Sequence, residues 1–276
     1  MLRRRSKTPK IQKHVTPGPQ STSRRRARPD VEVPAKLRMP AVPRVASAGE
    51  GAAVVLVTGF DPFGGERLNP SWEICTRLPR VIAGLPVETC KVPCEFRRSI
   101  EVVAEAIERH RPSLVICLGQ AGGRAHLSVE RVAINVDDAR IGDNAGAAPI
   151  DETIAANGPP AYFATLPIKA MVAAMRAAGV PAEVSNTAGT YVCNHVMYGV
   201  LHFIAKRAPS ALGEGGGEGR TRAGFIHVPY AEEQVLDRPA IAGMAIATMV
   251  RGVEAAIAAA ARIGLDSRDF KRLGLK

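Results

Sequence analysis

Apolar and polar positions along the chain repeat with two different periods. Short, mostly apolar runs at 53–58, 87–92 and 113–118 predict buried β-strands. Within 96–109 apolar residues instead recur every three to four positions, which predicts an amphipathic helix. Further strands are predicted within 127–135, 182–185 and 224–230, and further helices within 70–78 after the cap residue Asn69, within 167–179, from 192 onward and within 239–261. The alternation of strands and helices predicts a sheet covered on both faces.

One cysteine lies where a predicted strand gives way to a predicted helix. Cys193 follows the extended segment 182–185 and the small residues Ala188 and Gly189, which leave room for other groups beside the turn. At a helix start, unpaired backbone N–H groups and the helix dipole favour a thiolate. Cys193 is therefore a candidate nucleophile, although a cysteine in such a place more often fills the core.

Two distant segments carry the partners that a nucleophilic cysteine needs. The alternating segment 127–135 contains Glu130, and the apolar run 224–230 delivers His227 near a strand end, where Pro229 stops the ladder. A cysteine, a histidine and a carboxylate on separate elements fit a nucleophile, a base and an orienting group that converge on folding. Spacing alone does not prove that they converge.

Several other motifs are discounted. The glycines of 59–65 lack the Lys-Ser or Lys-Thr of a phosphate loop, and those of 119–123 lack the dinucleotide spacing. Cys90 and Cys94 have no nearby histidine or second cysteine pair, so they are expected to be packing residues. His195 follows Cys193 by two positions, and on a helix its side chain points well away from the sulfur. No metal and no cofactor are predicted.

The net charge of +11 is concentrated at the beginning of the chain. Residues 1–50 hold 13 Lys and Arg against 3 Asp and Glu, which leaves 24 against 23 for the rest. This basic segment is expected to be disordered, because it cannot bury enough apolar surface to fold. We expect an inert tail, or the product of an upstream start codon with Met39 as the alternative start. Nucleic-acid binding is less favoured, since no aromatic residues lie between the basic ones.

Length and composition set the remaining limits. Residues 51–276 suffice for a single α/β domain with a full core. The sequence has no apolar run of about 18 residues or more, so no membrane span is expected. Its five cysteines are an odd number, and no secretory signal precedes them. A cytoplasmic location is therefore expected.

A larger set of motifs resembles one family, the pyroglutamyl peptidase I or pyrrolidone-carboxylate peptidase family. The resemblance covers residues 54–261 and is carried by the segments 58–65, 119–124, 130–135, 137–140, 185–194 and 227–229. It implies a three-layer α/β/α sandwich with a mixed, mostly parallel twisted sheet, formed by residues 51–276. It also implies a cysteine exopeptidase without a cofactor, acting on peptides with an N-terminal pyroglutamate, and a homo-oligomer that is commonly a tetramer.

The resemblance also implies roles for individual residues. Cys193 would attack the carbonyl that follows the pyroglutamyl ring, and His227 would accept and return the proton. Glu130 would hold the imidazole in the useful tautomer. Arg140 and the backbone N–H of Cys193 are candidates to stabilise the oxyanion. The alternative for Glu130 is a surface ion pair with Arg131.

The substrate implied by the resemblance is a small neutral lactam, for which an apolar pocket with a few backbone donors and acceptors is expected. Phe60 and Phe63 resemble the residues that sandwich the ring, and Gln120 resembles the position whose main chain pairs with the lactam. For the two phenylalanines alone, core packing is the simpler interpretation. Further wall residues are expected to be Ile141, Tyr191 and Val192.

Two other functions stay open at this stage. A layered α/β sheet can also host a phosphorylase of the nucleoside type, which would depend on phosphate and not on Cys193. A non-enzymatic nucleic-acid binder would depend on residues 1–50 and on the salt concentration.

Overall fold

The computed structural model describes two stretches of the chain, residues 53–207 and 221–262. Both belong to one compact unit, Ala48–Lys276. The basic segment 1–50 lies outside the described residues, as does most of the segment 212–222, for which the glycines at 215–217 predict a loop. The domain boundary at residue 50 and the disorder of the first segment therefore stay predictions.

Eleven strands and five helices make up the described part. The strands are β1 Val55–Phe60, β2 Val81–Ile82, β3 Leu85–Val92, β4 Leu114–Gln120, β5 Leu127–Glu130, β6 Val132–Ile134, β7 Ala161–Phe163, β8 Ala182–Ser185, β9 Arg222–Val228, β10 Tyr230–Ala231 and β11 Gly243–Met244. The helices are α1 Pro70–Cys75, α2 Arg98–His110, α3 Ile168–Ala177, α4 Val192–Arg207 and α5 Ile246–Arg262.

Seven strands form the central sheet in the order β2-β3-β1-β4-β9-β5-β8. The four strands β3, β1, β4 and β9 run parallel to one another. β5 runs antiparallel to β9 but parallel to β8, and β2 runs antiparallel to β3 at the edge. The sheet is thus mixed and mostly parallel, as expected. Two small ribbons, β6 with β7 and β10 with β11, lie outside it.

Helices cover both faces of the sheet. On one face, alternate residues of β1 and β4, such as Val57 and Ile116, share a buried cluster with α1, α3 and α5. On the other face, their neighbours Leu56 and Val115 share a second buried cluster with α2 and α4. Side chains that alternate along a strand supply one apolar set to each face. The three-layer α/β/α architecture is confirmed.

Two predicted elements are interrupted in the structure, and the short strands β2 and β7 were not predicted. The segment predicted as one strand at 127–135 is divided into β5 and β6, because β5 pairs with β8 and β9 up to Glu130 whereas β6 pairs with β7 from Val132. The helix predicted at 239–261 begins only at Ile246, since Gly243 and Met244 pair with β10. Local periodicity does not detect such short pairings.

The predicted start of α1 is confirmed, and it secures the turn after β1. Asn69 Oδ1 accepts the N–H of Ser71 at 3.1 Å and caps the helix, with Pro70 in the first helical position. Asn69 Nδ2 donates to the carbonyl of Asp61 at 3.0 Å, and the N–H of Phe60 donates to Ser71 Oγ at 2.9 Å. One buried asparagine therefore joins the helix cap to the chain leaving β1.

This geometry predicts a loss of stability for Asn69→Ala. The substitution removes the cap and leaves buried polar groups without partners, so the free energy of unfolding should fall by about 1–3 kcal/mol in urea titrations. Asn69→Asp keeps the cap oxygen but not the donor to Asp61, and should lose less. Thr76→Ala at the exposed end of the same helix is the control. Equal stability of Asn69→Ala and the control would contradict the assignment.

Candidate active site

Cys193 is the second residue of α4, so the expected placement of this cysteine at a helix start is confirmed. It is partly exposed. A Cβ built at Gly119 would lie 2.9 Å from Cys193 Sγ and 2.6 Å from the ring of Phe225. The sulfur therefore lies over the end of β4, where only a glycine leaves room for it.

The residues beside Cys193 fasten the start of α4 to the segment that follows β5. Asn194 is buried, its Oδ1 accepts the N–H of Ile134 at 2.9 Å, and its Nδ2 donates to the carbonyls of Ile134 and Val136, each at 2.9 Å. Thr190 Oγ1 donates to the carbonyl of Asp138 at 2.8 Å. These bonds on both sides of the cysteine leave its backbone little freedom.

His195 belongs to the same fastening and not to the reacting groups. Its Nδ1 lies 2.7 Å from Asp137 Oδ2, and its Nε2 accepts the N–H of Arg97 at 2.8 Å. Because Nε2 must accept, the proton lies on Nδ1 and the imidazole is neutral. With both nitrogens engaged, His195 has none left to act as a base.

His227 lies on β9 directly beside Gly119 of β4 in the parallel register. Cys117 and Phe225, two residues before Gly119 and His227, pack on the face that α4 covers. Side chains two residues apart share a face, so the imidazole of His227 and the sulfur of Cys193 belong to the same face at the same end of the sheet. In the described part of the chain, no hydrogen bond joins Cys193 Sγ to His227.

Glu130 pairs with His227 in the interior of the protein. Its Oε1 lies 2.7 Å from His227 Nδ1, and its side chain is fully buried. The same Oε1 accepts Arg124 Nη1 at 2.9 Å. The alternative of a surface pair with Arg131 is wrong, since Arg131 Nε donates to Asn186 Oδ1 at 2.8 Å.

Burial and charge set the protonation of these groups. Burial lowers the pKa of the His227 imidazole below its ordinary value, although the hydrogen bond and charge of Glu130 oppose this. Burial alone would raise the pKa of Glu130, but His227, Ser185 and Arg124 close to it bring the pKa below its ordinary value. At neutral pH the structure therefore holds a neutral imidazole bonded to a carboxylate.

The protonation of the Cys193 thiol differs from the thiolate that the helix start led us to expect. Burial, followed by the nearby Cys94 thiol and the Glu130 carboxylate, raises the pKa of Cys193 well above its ordinary value. The helix start alone therefore does not hold a thiolate. Deprotonation of this sulfur therefore needs a base, and the neutral imidazole of His227 lies on the same face of the sheet.

Aromatic residues next to Cys193 form a cluster that we call the aromatic wall: Phe63, Phe96 and Tyr191. The rings of Phe63 and Tyr191 lie 6.1 Å apart, and those of Phe96 and Tyr191 meet edge to face at 5.4 Å. Phe63 and Tyr191 are partly exposed, whereas Phe60 is only 2% exposed and packs on Phe225. Phe60 is thus a core residue in this structure, and Phe63 offers surface to a ligand.

The other predicted pocket residues have different surroundings. Gln120 ends β4 and its Oε1 accepts Gln234 Nε2 at 2.9 Å. Ile141 is 52% exposed, and Arg140 beside it is exposed without an ion pair in the described part of the chain. Val192 is fully buried, so its side chain presents no surface to a ligand and instead anchors the start of α4 in the core.

Sequence reasoning missed Arg124 and Phe96. Arg124 lies within the motif 119–124, but nothing in the local pattern shows that its side chain reaches Glu130. Phe96 was predicted to be the first apolar residue of a helix. In the structure α2 begins at Arg98, so Phe96 precedes the helix and packs on Tyr191.

A cavity of about 410 Å³ lies behind the aromatic wall. Its lining includes Phe96, Asp137, Glu152 and His195, but neither Cys193 nor His227. Among the described residues no three His, Cys, Asp or Glu side chains are grouped so that they could hold a metal ion. None of the described helices has the length and apolar character needed to cross a membrane.

The buried pair predicts a direct titration result. In Glu130→Gln the carboxylate that raises the pKa of His227 is gone, so NMR should find the pKa of this imidazole lower than in the unsubstituted protein. Because the folded-state pKa is depressed, stability is present above the unfolded-state value of about 6.5 and is lost as the pH falls through it. Glu130→Gln should therefore lose more stability on acidification than the exposed control Glu233→Gln. A His227 that titrates at or above its ordinary value in the unsubstituted protein would contradict this account.

Comparison with known proteins places this chain in a family. The family model described as pyroglutamyl peptidase matches residues 53–263. The chain is 52% identical to the pyrrolidone-carboxylate peptidase of Erwinia tasmaniensis over 215 residues, which cover 78% of this chain and 95% of that protein. It is 50% identical to the Streptococcus suis pyrrolidone-carboxylate peptidase over 220 residues, 80% of this chain and 97% of that one.

Solved structures agree. The crystal structure of Bacillus amyloliquefaciens pyroglutamyl peptidase I matches with a TM-score of 0.70 and 42% identity, over 76% of this chain and 98% of that one. A variant pyrrolidone carboxyl peptidase from the hyperthermophile Pyrococcus furiosus matches with a TM-score of 0.69 and 38% identity, over 75% and 98%. The chain therefore belongs to the pyroglutamyl peptidase family of cysteine peptidases.

Proposed function

We propose that this protein is a cysteine exopeptidase that hydrolyses the amide bond after an N-terminal pyroglutamyl residue, with Cys193 as nucleophile, His227 as general base and acid, and Glu130 as the group that orients His227. One observation carries the proposal: His227 bonds to the buried Glu130 at 2.7 Å on the sheet face where Cys193 Sγ lies over Gly119. Membership of the family supports the reaction class.

The chemistry follows from the protonation of these groups. Glu130 accepts Nδ1–H and so leaves Nε2 of His227 free to take the thiol proton. The sulfur forms a bond to the scissile carbonyl carbon, and the tetrahedral intermediate expels the peptide amine, which takes the proton from His227. Water, deprotonated by the same imidazole, then cleaves the thioester and returns the thiol and free pyroglutamate.

The oxyanion of each tetrahedral intermediate needs donors. The backbone N–H of Cys193 is in the first turn of α4, where N–H groups have no intrahelical partner and point towards incoming negative charge. Arg140 remains the second candidate, because its exposed guanidinium is on the loop that contacts Tyr191 through Gly142 at 3.1 Å.

The pocket for the lactam is proposed beside the aromatic wall. Phe63 and Tyr191 offer partly exposed rings, and the end of β4 at Gln120 offers main-chain groups. Phe60 supports this wall from the core, and Ile141 is expected to close over the ring from its exposed loop. A neutral, flat ring suits apolar walls with few polar contacts, whereas an ammonium group would need a carboxylate.

A homo-oligomer, with a tetramer as the expected size, belongs to the same proposal. Large apolar side chains are exposed at Ile150 (75%), Phe163 (68%) and Leu236 (78%), which is compatible with a covered surface in an assembly. A cytoplasmic location is proposed as well, and all five cysteines are free thiols.

The proposal predicts that Cys193→Ala abolishes release of a fluorescent amine from a pyroglutamyl amide. Without the nucleophile, kcat should fall by at least about 10⁴-fold, while the circular dichroism spectrum stays unchanged. The control Cys90→Ala removes a partly buried thiol on β3 and should keep full activity. The same assay with a prolyl amide should give no product.

Two outcomes would reject the proposal. Full activity of Cys193→Ala would show that Cys193 is not the nucleophile. A reaction that requires phosphate and a nucleoside but not Cys193 would favour the phosphorylase class. Salt-sensitive binding of nucleic acid that disappears without residues 1–50 would describe a separate property of that segment.

A further inference from the structure

Arg124 makes an ion pair inside the site that the proposed mechanism does not use. Its Nη1 lies 2.9 Å from Glu130 Oε1, the oxygen that also bonds to His227 Nδ1 at 2.7 Å. The other oxygen, Glu130 Oε2, is buried and makes no hydrogen bond to any described group. Arg124 and His227 therefore hold this carboxylate through a single oxygen.

The loop between β4 and β5 is shaped to bring Arg124 there. A Cβ at Gly122 would lie 2.4 Å from the ring of Tyr230, and Gly123 has φ +87°, a conformation that suits glycine. This tight turn lies directly against Tyr230, and the guanidinium that follows it points back at Glu130. The Arg124 side chain is 28% exposed, so it connects the buried carboxylate to the surface.

The ion pair answers an energetic problem. Without Arg124, the fully buried Glu130 carboxylate would have only a neutral imidazole and the Ser185 hydroxyl close to it, which is costly and favours uptake of a proton. A protonated Glu130 would no longer hold Nδ1–H of His227, and the base would lose its fixed orientation. A guanidinium stays charged at all pH values of interest, so it keeps the carboxylate ionised.

We infer that Arg124 is a positioning residue of the reaction: by bonding to Glu130 Oε1, it fixes the ionised carboxylate that orients His227 for proton transfer with Cys193. The inference rests on the proposed function and extends it to a residue outside the cysteine, histidine and glutamate set.

The charged groups near His227 determine how its pKa, and with it the pH dependence of the reaction, responds to a substitution of Arg124. They are Glu130 on β5 and Arg124 on the preceding loop, while the Cys193 thiol on α4 lies on the same face of the sheet. Arg124 acts against Glu130 by lowering the pKa of His227, and it also lowers the pKa of Cys193. Removal of its charge should therefore shift the acidic limb of the kcat/KM profile to higher pH.

The test compares three substitutions in the full-length protein with a pyroglutamyl amide substrate. Arg124→Met removes charge and donor, Arg124→Gln keeps a donor without charge, and Arg124→Lys keeps the charge. We expect kcat to fall roughly 10- to 100-fold in Arg124→Met, the rate equivalent of one charged hydrogen bond, with KM nearly unchanged. In Arg124→Lys the acidic limb should return to the pH of the unsubstituted protein, and part of kcat should be recovered. In Arg124→Gln the limb should stay at higher pH.

Arg131→Met is the matched control, since the Arg131 side chain donates to Asn186 and makes no hydrogen bond or ion pair to Glu130 within the described residues. It should leave kcat and the pH profile unchanged. The inference is overturned if Arg124→Met and Arg124→Gln keep the acidic limb in place, if the loss lies in KM, or if Arg124→Lys is no better than Arg124→Met. Should Arg124→Met fail to fold, the comparison of Arg124→Gln with Arg124→Lys decides. An inactive unsubstituted protein would instead reject the proposed function.

Discussion

The bond between Glu130 and His227 is the constraint on which the site depends. Glu130 ends β5, and His227 comes one residue before the end of β9, so their pairing requires the antiparallel contact of these two strands in an otherwise mostly parallel sheet. A buried carboxylate is tolerated only with donors around it, and here the donors are a histidine and an arginine. The order of the strands therefore determines both which donors surround the buried carboxylate and how the imidazole of His227 is oriented.

The nucleophile is held by a second and separate arrangement. Asn194 and Thr190 bind the chain that follows β6, while His195 binds both Asp137 and the N–H of Arg97, which has a positive φ of 63°. The polar side chains around Cys193 are thus committed to backbone or buried partners. The sulfur, whose pKa burial raises, is thereby held in a fixed position on the sheet face of His227, as the proposed mechanism requires.

The sequence predicted the layers and the helix start at Cys193, because both follow from the period of the apolar residues and the points where it changes. It did not predict the ribbons formed by β6, β7, β10 and β11, since short strands that pair across a long loop carry no period of their own. Arg124 was missed because the turn at Gly122 determines where its side chain points, and local periodicity does not show the direction of a turn. Val192 was expected in the pocket wall but lies in the core, because successive residues of a helix point in directions about 100° apart.

The central claim is that Cys193, activated by His227, becomes acylated during turnover. The most direct measurement is acid quenching of the protein during reaction with an activated pyroglutamyl ester, followed by mass spectrometry of its peptides. The account predicts a pyroglutamyl thioester on the peptide that contains Cys193 and on no other cysteine peptide. Turnover with Cys193 unmodified at every time point, or with the acyl group on another residue, would contradict it.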